Sequence, residues 1–477
     1  MQSWRGGGGP TAASRAGRLP AAELLQKYDR PAPRYTSYPT AAEFTTAFDE
    51  AAYRVHLAAA ARRSTDPLSL YVHLPFCESR CSFCGCVVIA TKQRRVAARY
   101  LEYLQREAAA LAAALGERRR VIQLHWGGGT PTYLEPAQIA RLYRTIGRHF
   151  AIDPDAEAGI EVDPRVTTRE QLDLLRALGF NRLSMGVQDF TPEVQAAIRR
   201  DQREEDTRRL FQYARSAGFD SINIDLVYGL PRQTLPGFAR TLDAIVELRP
   251  ERAAVYAYAH VPWLRSNQRC IDPRDLPSPT SKLELFAAAI DRFLAAGYRQ
   301  IGMDHFALPH DELARAAETR TLWRNFMGYT TRRAPDSVGL GISAIGDVAG
   351  AYVQNTKKLS AYYAGVDAGR LPVERGYRLT FDDRVRRYVI TELMCNFYVD
   401  GLDVERRFGV VFGDYFATEL AELTAPDGPA ADGLAAVSPA AVEVLPPGRP
   451  FVRNICMTFD QRRRTDALDR PLFSRAI

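Results

Sequence analysis

The chain has 477 residues, 46% of them apolar and 25% charged, a balance that allows more than one buried core and excludes a disordered or fibrous class. No run of 18 apolar residues reads as a membrane span and no charged-then-apolar leader reads as a secretory signal, so a cytoplasmic protein is expected. The net charge is +7 and the pI about 9.0, but the basic residues are scattered and carry no zinc-finger, RNP or basic-helix pattern. No nucleic-acid partner is therefore expected; an arginine-rich composition with solvated charges is the simplest reading of that balance, and a small anionic substrate is the third.

Residues 1–22 open with "MQSWRGGGGPTAASRAGRLP", three arginines and no acid. Four consecutive glycines spoil an amphipathic targeting helix, so a disordered extension is expected. From residue 69 short apolar segments alternate with longer segments of helical period. Strands are expected at 69–74, 121–126, 159–163, 182–188, 221–229 and 253–259. Helices are expected at 96–115, 136–150, 168–179, 192–218, 235–248 and 281–297. Six such units at roughly 30-residue spacing imply parallel strands joined by right-handed crossovers. The expected fold is α/β, a partial (β/α)6 TIM-like barrel over 61–365. Sites in such folds lie at the carboxyl ends of the strands. The unusual residues fall there: "HLPFC", "WGGGTPT", "EVDP", "GVQD", "DLVYG" and "YAH" follow or end the six strands in turn. After about residue 366 the pattern turns helical, with a Pro/Ala-rich, turn-rich stretch at 424–448, and reads as a mainly helical C-terminal domain over 366–477.

Four of the seven cysteines lie within "CESRCSFCGC". Cys77, Cys81 and Cys84 form C-x3-C-x2-C, with Cys86 two residues on. Thiolates bind zinc or iron–sulfur clusters. An odd, clustered set argues for metal or redox chemistry in a reducing compartment, not for a disulfide scaffold. A structural zinc site would want a second, separate pair, which the sequence lacks. Cys270, Cys395 and Cys456 stand alone and read as small buried hydrophobes. His73 and His125 sit on apolar strands and read as core histidines. "GGGT" at 127–130 removes side chains where backbone must approach something closely, and Glu161 ends a strand at the mouth.

C-x3-C-x2-C after the first strand of a β-α repeat resembles the radical S-adenosylmethionine superfamily. The blocks "RYTSYPT", "SLYVHLPFC", "CSFCGC", "QLHWGGGTPTYL", "IEVDPR", "GFNRLSMGVQDF", "NIDLVYGLPRQT", "YAHVP", "IGMDHFA", "RNFMGYTT", "GLGISAIG" and "VRNICM" are together similar to the oxygen-independent coproporphyrinogen III oxidases, from about residue 25 onward.

That resemblance implies a 4Fe-4S cluster on Cys77, Cys81 and Cys84 with one iron left open for S-adenosylmethionine, of which two molecules are expected. It implies conversion of two propionates of coproporphyrinogen III to vinyl groups by a 5′-deoxyadenosyl radical, giving protoporphyrinogen IX. Cys86 matches a non-ligand cysteine required for activity. Tyr71, Phe83, Gly128, Gly129, Thr130, Glu161, Gln188, Arg200, Asp225, Ala259 and Ile345 match positions contacting S-adenosylmethionine. Residues 23–60 match an N-terminal arm expected to lie across the barrel mouth. A reductant and an electron acceptor are implied partners, with a monomer as the expected state.

This chain departs from some relatives at Val87 and Val88, after the cysteines, and in the aromatic stretch 256–263. Two rivals were weighed. A radical-SAM-like haem chaperone would usually lack both the fourth cysteine and the arm. A zinc-dependent structural or nucleic-acid-binding module would lack the barrel repeat.

Overall fold

The computed structural model describes residues 22–28 and 30–464. The extension expected at 1–22 lies, apart from Ala22, outside the described residues. The centre is a twelve-stranded sheet. In chain order its strands are β1 Leu68–Leu74, β2 Arg120–Gly128, β3 Ala151–Val162, β4 Arg182–Gln188, β5 Ser221–Tyr228 and β6 Arg252–Ala257, then β7 Arg299–Ile301, β8 His305–Ala307, β9 Asp336–Leu340, β10 Ile345–Val348, β11 Ala351–Asn355 and β12 Val373–Arg378. They lie in the order β12-β11-β10-β9-β1-β2-β3-β4-β5-β6-β8-β7. The run β9-β1-β2-β3-β4-β5-β6 is parallel and both flanks are antiparallel.

The crossovers are α1 Arg94–Leu115, α2 Pro136–His149, α3 Arg169–Ala177, a short helix Pro192–Ile198 leading into α4 Glu204–Ser216, and α5 Leu235–Leu248, with α6 Pro279–Ala295 leaving β6. In α1, Ala97, Tyr100, Leu101, Leu104, Ala108, Leu111 and Leu115 recur at helical spacing and are all buried against the sheet. Each large apolar side chain so buried contributes roughly 2 kcal/mol. Thr168 and Gln171 close a capping box on α3, and the Thr234 hydroxyl caps α5. The fold class expected from the repeat is the one observed.

Strand boundaries differ from the sequence reading by one or two residues, except at β3. β3 starts at Ala151, not 159, because "AIDPDAE" pairs with Arg120 and Val121 without alternating burial. β6 stops at Ala257. The seam between β1 and β9 is held from below by Arg118, fully buried, whose guanidinium pairs with Asp336 and donates to the carbonyls of Ala60, Asp66 and Pro67.

A second core joins Tyr28, Tyr35 and Tyr38 of the arm to Val385, Val389, Leu393, Phe412, Phe451 and Ile455. This C-terminal region is mainly helical, with Phe381–Asn396 and Val452–Thr458 among its helices. Its turn-rich stretch forms a hairpin, Ala435–Ser438 with Ala441–Val444, that Tyr398–Asp400 extends to three strands. Among the described residues no helix is long and apolar enough to cross a membrane.

Candidate functional site

The cysteine loop leaves the carboxyl end of β1. Its base is zipped by a short parallel pairing of Phe76–Cys77 with Ile89–Ala90, with Ile89 N donating to Pro75 O (2.7 Å) and Thr91 N to Cys77 O (2.9 Å). The end of β2 packs beneath it. Gly129 N donates to Leu74 O (2.9 Å), Thr130 N to Phe76 O (2.8 Å), and the Thr130 hydroxyl lies 3.5 Å from Cys77 Sγ. The close approach expected of the glycines is made here by protein atoms. A Cβ on Gly127 would lie 2.7 Å from the Glu161 carboxylate, one on Gly128 2.5 Å from the His73 ring, and one on Gly129 2.6 Å from the Pro75 carbonyl carbon. Gly128 also has φ +116°, which an L side chain rarely adopts.

All seven cysteines are free, and Cys81 is buried. Its Sγ accepts from Arg200 Nη1 (3.7 Å) and Arg165 Nη2 (3.8 Å). Asp163, at the end of β3, binds both guanidiniums, at 3.3 Å to Arg200 and 2.6 Å to Arg165. Burial pushes the Asp163 carboxyl up, but these arginines hold it below the usual carboxylate range. Arg200 is buried, and instead of the acids of the neighbouring run it takes Asp163, giving Nη2 to Gly186 O (2.7 Å) and Nε to Gln202 (2.8 Å). Burial raises the Cys77 thiol to about 11. A hydrogen bond from the Cys86 thiol draws Cys84 down to about 6 and holds Cys86 high. Cys86 is exposed on the loop, within electrostatic reach of Tyr71 and Glu161.

The loop is clamped from the far side of the chain. Asn267, in the 3-10 turn Ser266–Cys270, donates through Nδ2 to the carbonyls of Cys81 (3.2 Å), Ser82 (2.9 Å) and Cys84 (3.0 Å). Gln268 reaches Phe83 O (3.0 Å) and Ala259 O (3.2 Å). The Phe83 ring packs on Val194, Ile198, Val227 and Tyr258. Cys270 is a correction to the sequence reading. It is exposed, its Sγ bonding Asn267 O, because the turn faces outward there, whereas Cys395 and Cys456 are buried as expected.

His73 also belongs to the site. Val87 O accepts a hydrogen bond from Nε2 (3.0 Å), which leaves Nδ1 to accept from the Tyr71 hydroxyl (3.0 Å), and burial lowers the imidazole below its ordinary range. The neutral ring thus ties β1 to the cysteine loop. Glu161 accepts from Gly128 N (2.9 Å) and lies 3.5 Å from His125 Nε2. Burial raises its carboxyl, and these bonds outweigh it, so Glu161 stays ionised below the usual range. Gln188 ends β4 with φ +70°, a sparsely populated conformation at a site residue.

Inside the strands lies a cavity of about 360 Å³, at the lower end of the range for small-molecule pockets. Glu161, Asp225, His125, Tyr256 and His305 line it, as do Arg34 and Thr36 of the arm. Burial raises Asp225 to about 6, against hydrogen bonds from Ser184 (2.9 Å) and Asn223 (2.8 Å). The sequence-derived positions are spread over the cavity and its surroundings. Glu161 and Asp225 line the cavity. Phe83, Gly129, Thr130, Arg200 and Ala259 are tied to the cysteine loop or its clamp, Gly128 to Glu161, Tyr71 to His73, and Ile345 lies opposite Gln354 across the β10–β11 pairing. Asp163, Arg165, Asn267 and Gln268 were missed. For the first two, the quoted "EVDP" and its following Arg165 were a usable signal.

Among the described residues no three His, Cys, Asp or Glu side chains gather around a point that would hold a single metal ion. Three thiols on one closed loop, one already bonded by two cations, instead suit a polynuclear cluster whose cysteines occupy separate corners. The donor set therefore fits a 4Fe-4S group.

The radical SAM superfamily model matches residues 71–245. The chain is 49% identical over 454 residues, 95% of its length and 98% of the relative's, to oxygen-independent coproporphyrinogen III oxidase of Salmonella typhimurium. It is 46% identical over 461 residues to the protein of that name from Pseudomonas aeruginosa, covering 96% and 98%. Among solved structures it resembles coproporphyrinogen III oxidase of Escherichia coli, described as a radical SAM enzyme, with a TM-score of 0.88 and 47% identity, covering 94% of this chain and 100% of that one.

Proposed function

The chain belongs to the oxygen-independent coproporphyrinogen III oxidases of the radical SAM superfamily, and from that membership we infer its substrate and the roles of its residues. It is an oxidoreductase of porphyrin and haem biosynthesis that converts two propionates of coproporphyrinogen III to vinyl groups, giving protoporphyrinogen IX, with a 4Fe-4S cluster and S-adenosylmethionine. The observation that carries the reading is the closed cysteine loop with its cation-bonded Cys81 in a chain alike to these relatives over nearly its whole length.

When bound, that pair supplies abstraction of a hydrogen atom from an unactivated C–H bond. In this reading Cys77, Cys81 and Cys84 hold the cluster, and Arg165 and Arg200 stabilise the negative sulfur of Cys81. Glu161, kept ionised by Gly128 N and His125, presents a carboxylate to the cavity, where it suits an ammonium or a ribose hydroxyl. Tyr71 and His73 orient the start of the loop. Cys86, exposed and beside Glu161, faces the reacting side. Strand walls and the arm's Arg34 and Thr36 line the cavity. Each propionate loses a hydrogen atom, carbon dioxide and one electron, so an external acceptor takes that electron and a reductant recharges the cluster. Two S-adenosylmethionine molecules serve the site, one for each propionate.

The test is anaerobic. Protein reconstituted with iron and sulfide is given dithionite, S-adenosylmethionine and coproporphyrinogen III. Protoporphyrin after oxidation, together with 5′-deoxyadenosine, is the expected result. Cofactor cleavage with no porphyrin product would sink the substrate assignment.

A further inference from the structure

Three cations gather at the barrel rim with little to neutralise them. β11 ends at Asn355, and the chain turns there, with Ser343 N donating to Thr356 O (2.9 Å) and Thr356 N to Pro372 O (2.8 Å). Ser343 Oγ stands 3.4 Å from His73 Nε2, so this turn lies beside the carboxyl end of β1, where the cysteine loop begins. Gln354, facing Arg375 across the β11–β12 pairing, bonds Ser343 O (3.3 Å) through its amide and accepts from Arg375 Nε (2.7 Å). Arg375 is thereby aimed, with one of its five donors used in aiming it. Lys357 is exposed on the same turn, and its backbone N binds Glu374 (2.9 Å). From the opposite side Arg265 starts the turn whose Asn267 bonds the carbonyls of Cys81, Ser82 and Cys84, and it is within electrostatic reach of Lys357.

The charge count there is uneven: Arg265, Lys357 and Arg375 against Glu374. Burial and the two arginines press the Lys357 ammonium below its ordinary range, and Glu374 only partly offsets them. Like charges gathered at this turn beside the reaction centre, with Arg375 held in place by Gln354 and not by an acid, are arranged for an anion. Resting on the substrate reading above, we propose that Arg265, Lys357 and Arg375 form the carboxylate-binding rim of this site and hold propionates of the tetracarboxylate substrate. Two of its four carboxylates leave as carbon dioxide. The other two persist through both turns, and a rim of fixed cations gives them one constant handle while successive propionates are presented to the cavity. Arginine suits this role because its planar fork pairs with a carboxylate through two parallel bonds.

The experiment uses full-length, cluster-loaded protein and the variants Lys357→Gln, Arg375→Gln and Arg375→Lys, checked for unchanged iron content. Two quantities are read: the Kd for coproporphyrin III, from anaerobic titration at low and high salt, and KM for coproporphyrinogen III. Loss of one charge-assisted bond is expected to raise both about tenfold. It should also flatten the salt dependence, and Arg375→Lys should recover part of the loss. Affinities and KM within twofold of the parent, with turnover intact, overturn the rim and leave the activity standing. Weakened coproporphyrin binding in the variants, with no turnover by the parent protein, keeps the rim and sinks the activity. A parent protein that neither binds the porphyrin nor turns the substrate over refutes both.

Discussion

Asn267→Leu isolates the clamp on the cysteine loop. Leucine has the same four branched side-chain heavy atoms as asparagine, so the change removes hydrogen bonds without opening a cavity. Asn267 Nδ2 carries two hydrogens and lies at 3.2, 2.9 and 3.0 Å from the carbonyls of Cys81, Ser82 and Cys84. Two full bonds' worth is therefore at stake, shared over three acceptors, at a net value of about 1 kcal/mol each. A loss of about 2 kcal/mol raises the population of a locally opened loop roughly 30-fold. Where iron leaves through that opening, the same factor bounds the acceleration of its loss. The assay is anaerobic. Both proteins are reconstituted, an iron chelator is added, and the decay of cluster absorbance is followed. The variant should lose its cluster up to about 30-fold faster with its thermal midpoint little changed, since the barrel cores lie elsewhere. A decay rate within twofold of the parent would show that the loop is held by its own zipper and by the ligands alone, and the clamp argument would be wrong.

Cys86→Ser should retain iron and S-adenosylmethionine binding yet lose porphyrin product; persistent turnover would remove Cys86 from the chemistry. Asp225 is ionised above its raised value of about 6 and neutral below it. S-adenosylmethionine affinity, measured by calorimetry on loaded protein, should accordingly hold above about pH 7 and fall up to tenfold per unit below pH 6. Asp225→Asn should be weaker and flat across the range, and a parental profile in that variant would refute the contact. Arg118→Met leaves buried Asp336 with only Arg63 and the Ala349 amide as partners, so denaturant unfolding should show a loss of about 3–5 kcal/mol. A change below about 1 kcal/mol would mean the pair adds nothing. Gly128→Ala forces a Cβ into the His73 ring at positive φ, and a destabilisation of about 2–4 kcal/mol is expected in the same assay.

What could be read from the sequence was what local pattern carries. β1 to β6 are bounded by helices of clear period, and parallel strands covered on both faces show as apolar runs such as "SINIDLVY", buried along most of its length. The four strands β9 to β12 were not foreseen. They are four to six residues long, and β9, β10 and β12 are interrupted by glycine, which removes the apolar run a strand is recognised by. Those glycines answer to packing: a Cβ on Gly376 would lie 2.4 Å from both Phe48 and Tyr352 O, and one on Gly339 2.9 Å from Ala344. Phe48 and Tyr352 are both distant in sequence from Gly376, so no local rule reveals the need there.

The site divides along the same line. A ligand motif is short because three sulfurs must reach one cluster, so it survives as a pattern of spacing. The parts that hold the motif still are under no such constraint. The clamp comes from Asn267, more than 180 residues beyond the cysteines it grips, and the apparent acid partners of Arg200 in "RRDQREED" yield to Asp163 on another strand. Rigidity at a catalytic loop needs several anchors from different directions, since anchors on one segment would move with it. The loop meets β2 through Gly129 and Thr130, β3 through Asp163 and its arginines, and the post-β6 turn through Asn267 and Gln268. Three elements that converge only in the folded barrel thus fix the sulfurs, and this is why the ligands were legible and their supports were not.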